Sequence, residues 1–302
     1  MSGLTSVESC RVAARLFRRN MLGPSLGHVA SSLTALLLLE KLGIDVLLPF
    51  WMPATEAFFN EHSRPMALLI SGVAVTGISF WGLGTLMTLP AIYDVKMWKI
   101  QTNRTLNRRM LLDSLPLIVF NYLLGLVVAP VMAVLLPDSS FSFSSLPSTG
   151  QLGRDILIWL AAEEVSFFYL HRWMHLSKYM YQTVHKVHHK WHAPVALVAI
   201  YCHPLEHLLC NIFPLLLGPV LCGSHIVAIA IYFVAGFAHT TAVHSGYWFC
   251  DDNGIHDEHH AKLIVNFGVM GVMDYLYGTY RLPAGAAVDV GSSENTTKVS
   301  SD

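Results

Sequence analysis

The chain has 302 residues, 53% of them hydrophobic and 13% charged, with 19 Lys and Arg against 20 Asp and Glu for a formal net charge of −1. A mean hydropathy of +0.48 lies outside the range of ordinary soluble domains and predicts membrane embedding. Near-neutral charge with no basic stripe excludes a nucleic-acid partner held by bulk electrostatics, and five cysteines with neither a CxxC pair nor an even framework read as reduced, structural thiols.

In chain order, the first 23 residues lack the apolar core and small-residue cleavage site of a secretory signal. Arg11, Arg15, Arg18 and Arg19 suit an amphipathic helix on a membrane surface, a reading preferred over an Arg-rich mitochondrial transit segment. Residues 1–28 thus form a basic segment, 29–153 a membrane region, 154–283 a histidine-bearing catalytic domain, and 284–302 a small, polar tail expected to be disordered.

Met66 to Ile92 is 27 residues without a charge and Ser114 to Leu136 another 23. At about 1.5 Å per residue each can cross a hydrocarbon core of about 30 Å. Three further stretches are apolar but interrupted. Val29 to Trp51 contains Glu40, Lys41 and Asp45; Asp155 to Leu170 contains Glu163 and Glu164; Ala193 to Gly246 is long enough to enter the bilayer and return around GPVLCGS.

Residues 93–110 hold Lys96, Lys99, Arg104, Arg108 and Arg109 against Asp94, whereas LPDSSFSFSSLPSTG has one acid and no base. The positive-inside rule makes the first of these loops cytosolic. The chain then leaves the cytosol near Ser114, emerges near Pro137 and returns through Asp155 to Leu170, delivering His171 to the cytosolic side. A re-entrant pair from Ala193 to Gly246 brings the last histidines back to the same face. The sequons at Asn103 and Asn295 then both lie in the cytosol, where they are not glycosylated. The predicted fold is an all-α integral membrane helical bundle with a cytosolic, histidine-rich helical cap.

That cap carries HRWMH at His171 to His175, HKVHH at His185 to His189 and HDEHH at His256 to His260, with His244 shortly before the last. On a helix, positions i, i+3 and i+4 share a face, so each motif aims its imidazoles together. So many rings buried without metal would leave many ring nitrogens in need of partners. Eight or nine histidines are too many for one tetrahedral ion, which implies two metals. Neither HExxH nor a Glu-x-x-His pattern is present, which excludes a zincin and a carboxylate-bridged bundle. Imidazole suits several metals, and oxygen chemistry at a membrane surface favours iron. Neutral ligands leave two divalent ions with roughly four uncompensated charges, so acids that orient the rings are expected around them. Glu164, Glu206, Asp257 and Asp274 are the candidates, an unpaired carboxylate within apolar sequence being costly.

With these motifs the chain resembles the superfamily of sterol desaturases and fatty acid hydroxylases, integral-membrane di-iron enzymes with the pattern HxxxH, HxxHH, HxxHH. HHKWHAP, YCHPLEH, GPVLCGSH, HSGYW and NFGVMGVMDYLYGT resemble its C4-sterol methyl oxidase branch and fatty-acid-hydroxylase-domain relatives. The likeness covers roughly residues 150–282, with an echo in MWKIQ at Met97 to Gln101. It implies metal ligands at His171, His175, His185, His188, His189, His256, His259 and His260, with His244 as a further ligand; His203, to which it assigns no role, is read as supporting them. His192, His207 and His239 receive no such role, His239 being read as packing. Trp248 and Ile255 depart from the branch at positions outside the metal motifs.

The resemblance further implies two iron ions, O2, and electrons from NAD(P)H delivered by cytochrome b5 or a similar carrier and its reductase. The setting it implies is the endoplasmic reticulum membrane, with a multi-pass chain and its site facing the cytosol. The expected activity is oxidation of a sterol, C4-methyl sterol oxidase-like. Within the superfamily the rival is a fatty acyl or sphingolipid hydroxylase or a desaturase; from another class it is a non-catalytic metal-binding or metal-transporting membrane protein. Transport would want ligands near the bilayer midplane, and these cluster past the span ends.

Overall fold

The computed structural model describes residues 33–144, 146–248, 250 and 254–283; the basic N-terminal segment, the tail beyond 283 and the sequon at Asn295 lie outside them. Helices dominate, and the described residues contain no strand beyond an isolated antiparallel bridge between Lys99 and Tyr247. Residues 33–41 are helical, a π turn follows over Leu42–Leu47, and helix α1 spans Leu48–Glu61. Arg64–Ile92 (α2), Arg108–Leu135 (α3), Pro204–Cys222 (α5) and Ile226–Val243 (α6) are long and apolar enough to cross a membrane.

Between α3 and α5 runs α4, Thr149–Leu176, 28 residues and thus about 42 Å. Its start is set by a capping box in which Ser148 and Gln151 satisfy each other's backbone N–H. The expected crossing at Asp155 to Leu170 lies inside it, and its charges are handled internally. Asp155 takes Arg154 at 2.6 Å and the Ser224 hydroxyl at 2.9 Å, and Trp159 Nε1 donates to Ser224 at 3.2 Å. Against α5 the contact is so close that a Cβ on Gly218 would fall 2.4 Å from the Trp159 Cα, so only glycine fits there.

The bundle has two distinct ends. At one, Ser140 donates to the Gly223 carbonyl at 3.0 Å, His225 Nε2 to the Ser142 carbonyl at 3.2 Å, and Arg64 pairs with Asp138 at 2.5 Å. At the other, Ile100 N donates to Gly246 O at 2.9 Å and Trp248 N to Trp98 O at 2.8 Å, strapping the 93–107 loop onto the segment after α6. The expected re-entrant pair is therefore two complete helices. They reach the far end, where Gly223 in the left-handed region, φ 57°, turns the chain back. Val29 to Trp51 is helical through a π turn over its described part and is not among the helices apolar enough to cross, since Glu40, Lys41 and Asp45 interrupt it. Ile78 and Val134 are 77% and 82% exposed, as side chains facing lipid would be.

Short elements complete the histidine end: a turn of helix over Lys178–Thr183, a 3₁₀ segment over His185–Lys190, α7 over Ile255–Lys262 and α8 over Val272–Tyr277.

Candidate metal centre

Each histidine motif rides on a different element. HRWMH closes α4, HDEHH lies within α7, and HKVHH forms a 3₁₀ segment instead of the α-helical face that its spacing predicts. Nine rings gather into two sets: His171, His175, His185, His189 and His259 in one, and His188, His244, His256 and His260 in the other. Within each set one ligand atom per residue lies within 4.8 Å of all the rest. The doubled histidine of each HxxHH motif is split between the sets. His188 and His189 have ring centroids 5.5 Å apart, and His259 and His260 5.9 Å apart, yet each pair serves both.

Ring orientation decides what the sets can hold. His171 Nδ1 lies 2.8 Å from the Phe267 carbonyl and His259 Nδ1 2.7 Å from that of Val265; His188 and His244 meet the Tyr201 and Thr240 carbonyls at 3.1 and 2.7 Å. A carbonyl only accepts, so these four rings carry their proton on Nδ1 and turn a bare Nε2 lone pair inward. The Nε2 atoms then crowd together: His171 and His185 at 3.2 Å, His185 and His189 at 2.8 Å, His244 and His256 at 2.9 Å, His256 and His260 at 3.2 Å. Lone pairs converging at such distances repel unless a cation sits among them, so the donor set fits two metal ions. Burial keeps the rings neutral, as ligands must be. It pushes His188 down to about 4 and His244 to about 3, the latter with help from His188, and His185, His256, His259 and His260 well below the ordinary imidazole range.

The expected acids divide by what they touch. Glu206 Oε1 lies 2.8 Å from His185 Nδ1, off the ideal hydrogen-bond line. Asp257, pushed up to about 6 by burial, accepts from Gln101 Nε2 at 2.9 Å, while the same amide donates to the His192 carbonyl at 2.7 Å. Glu164 and Asp274 contact no ring. Glu164 accepts from the backbone N–H of Val269, Met270 and Met273 at 2.7–2.9 Å, and Asp274 from those of Phe267 and Gly268 at 2.7 and 2.6 Å. Together they hold the turn whose Phe267 carbonyl orients His171. His203 is not brought to the cluster; its Nδ1 accepts from Leu205 N and caps the start of α5. The orienting carbonyls and Asn266, which donates to the Ile255 and Arg281 carbonyls, escaped the sequence reading. Backbone acceptors leave no residue-type signal, whereas Gln101 stood in the MWKIQ echo.

Beneath the cluster lies a cavity of about 260 Å³, lined mainly by apolar side chains of α2, α3, α5 and α6. It reaches His171, His188, His244 and His256 at one end and Leu68, Met132 and Ile226 at the other. Along α6 its lining runs from Ile226 to His244, about 27 Å. An apolar substrate placed there has one end at the metal ligands and the rest among the spans.

Comparison with known proteins agrees with this architecture. A family described as fatty acid hydroxylase matches residues 156–279. Fatty acid hydroxylase domain-containing protein 2 of Homo sapiens is 30% identical over 244 residues, 76% of this chain and 72% of its own. Methylsterol monooxygenase 2-2 of Arabidopsis thaliana is 32% identical over 180 residues, 55% of this chain and 63% of its own. Fatty acid hydroxylase ahd1 of Mycosarcoma maydis is 26% identical over 226 residues, 73% and 58% respectively. No solved structure matches.

Proposed function

The chain belongs to the fatty acid hydroxylase family, within the sterol desaturase and fatty acid hydroxylase superfamily, and from that premise we propose that it is a membrane-bound, O2-dependent monooxygenase acting on a 4-methylsterol. The observation that carries the reading is the junction of nine inward-facing imidazoles with an apolar cavity. His171, His175, His185, His189 and His259 would hold one iron, and His188, His244, His256 and His260 the other. Bound iron supplies the activation of O2 that no side chain provides.

The protein's own groups do the rest. Backbone carbonyls and Glu206 fix ring orientation, Glu164 and Asp274 hold the turn behind His171, and the apolar walls exclude water from the oxidised carbon. Of the four cluster histidines that line the cavity, His188, His244 and His256 belong to the smaller set, so the substrate carbon is presented chiefly to that side. A sterol is favoured by the methylsterol monooxygenase relative and by the local phrases around the motifs. Electrons come from a cytochrome b5-type carrier and its reductase. The enzyme resides in the endoplasmic reticulum with its histidine end in the cytosol, in keeping with the basic 93–110 loop at that end.

The length of the cavity supports one second reading, a fatty acyl substrate. Lipid extracts of cells with and without the gene separate the two. Loss of the gene is expected to accumulate 4-methylsterols; unchanged sterols with altered hydroxy acyl chains would select the second reading.

A further inference from the structure

Few polar groups interrupt the wall of the cavity, and one has a donor-acceptor pattern fixed by its neighbours. Asn211 lines the cavity from α5 and is half-buried. Its Nδ2 donates to His207 Nδ1 at 3.1 Å and to Cys202 Sγ at 3.7 Å. The other nitrogen of His207 faces α3, towards Gly125 and the backbone of Asn121. A proton on His207 Nε2, directed at the carbonyl of that backbone, leaves Nδ1 to accept and matches the Asn211 amide with its Nδ2 turned to the ring. Both of its N–H groups are committed. Its Oδ1 takes no hydrogen bond from the described residues, and unlike the orphaned Oδ1 of Asn121 it is not sealed in the protein.

Backbone geometry puts this acceptor near the histidines. His207–Ile212 is a π turn, bonded i to i+5. In an α-helix, position 211 would point about 140° away from Glu206; the wider turn swings it back, and both residues line the cavity. Glu206 touches His185, and Asn211 lies no more than about 8 Å further along the axis. Of the two carboxylates in the wall, Glu206 turns one oxygen to His185 and has the other sealed in the protein, and Glu163, about 12 Å along α4 from His171, already takes the Tyr232 hydroxyl at 2.5 Å.

We infer that Asn211 determines specificity in this cavity: its Oδ1 accepts a hydrogen bond from the 3-hydroxyl of a sterol whose 4-methyl group faces the histidines. The inference rests on the sterol reading above and adds the group that recognises the substrate and sets its direction. In a 4-methylsterol the hydroxyl sits on the carbon next to the one bearing the methyl group. The anchor must therefore lie near the metal ligands, and Asn211, within about 8 Å along α5 of the Glu206 that meets His185, is the wall acceptor whose oxygen is left open.

The test compares two probes, 4α-methylcholestan-3β-ol and 4α-methylcholestane, which differ only in the hydroxyl. Each is used in tritiated form to measure equilibrium binding to the purified, iron-loaded full chain. Wild type is expected to bind the alcohol about 10-fold more tightly. Asn211→Leu and the smaller Asn211→Ala should both erase that preference while keeping affinity for the hydrocarbon and the iron content. Glu163→Leu should retain it. Survival of the preference in both Asn211 variants, or its loss in Glu163→Leu alone, overturns the anchor and leaves the sterol reading standing. Loss of iron in both Asn211 variants makes the residue a scaffold element and overturns it too. A wild type that binds neither probe, or both alike, removes the sterol reading and the anchor with it.

Discussion

A single imidazole at this cluster has two tasks, to present Nε2 inward and to have Nδ1 held from behind. His188 shows both, with Nδ1 on the Tyr201 carbonyl and Nε2 in the four-member set. Replacing it with Ala removes a ligand outright, which costs more than the roughly 10–100-fold in metal affinity typical of a lost outer partner. Iron measured in purified His188→Ala should fall by about half, with oxidation abolished and membrane insertion intact; retained turnover would refute the ligand assignment. Gly268 tests the support behind the ring. An added Cβ would lie 2.7 Å from Glu164 Oε1 and 3.0 Å from Asp274 Oδ2, and both carboxylates are pinned by backbone N–H groups. Gly268→Ala is expected to cost about 1–3 kcal/mol in thermal unfolding and to lower iron content through His171. Eight of the nine rings were legible from spacing, because i, i+3 and i+4 neighbours converge on most tight backbones, whereas His244, alone in HSGYW, came only with the resemblance. The partners of Glu164 and Asp274 were not, since acids expected beside rings bond instead to N–H groups about a hundred residues away or in their own turn.

Among elements, the sorting of rings into two sets is the feature that residue spacing could not supply. A helical face predicts that His185, His188 and His189 act together. In the 3₁₀ segment the tighter turn points His188 away from its neighbours, and only the packing of α4, α7 and the end of α6 determines which set receives each ring. The strap over 95–101 is a second such element. Gln101 ties it to the His192 carbonyl and to Asp257 of α7. Gln101→Leu leaves Asp257 buried with neither oxygen paired, and a loss of about 1–3 kcal/mol is expected locally. Amide hydrogen exchange should accelerate across 95–101 and 254–262 while iron stays bound. Unchanged protection would mean that the Ile100 and Trp248 backbone bonds alone hold the strap.

For the molecule as a whole, crossing parity and loop charge placed every histidine motif at one end of the bundle, and the contacts between loops at each end bear that grouping out. Parity needs only the number of crossings and is silent on depth, which is why a re-entrant pair was expected where α5 and α6 are each long and apolar enough to cross. Metal binding couples the cap to this frame. Nine neutral rings facing one another are strained without cations, and a ligand at a thousandfold excess over its Kd stabilises the folded state by about 4 kcal/mol. Stripping iron with a chelator is therefore expected to lower the Tm by roughly 10 °C, with recovery on adding iron; an unchanged Tm would argue that the cluster is not a metal site.

The cavity beneath the histidines is walled by the four helices long and apolar enough to cross a membrane, so its substrate is expected to arrive from among lipid tails and not from water. What governs its filling is then the mole fraction of substrate in the bilayer, a two-dimensional concentration. Diluting proteoliposomes with buffer should leave turnover per enzyme untouched, whereas fusing them with substrate-free vesicles should slow it.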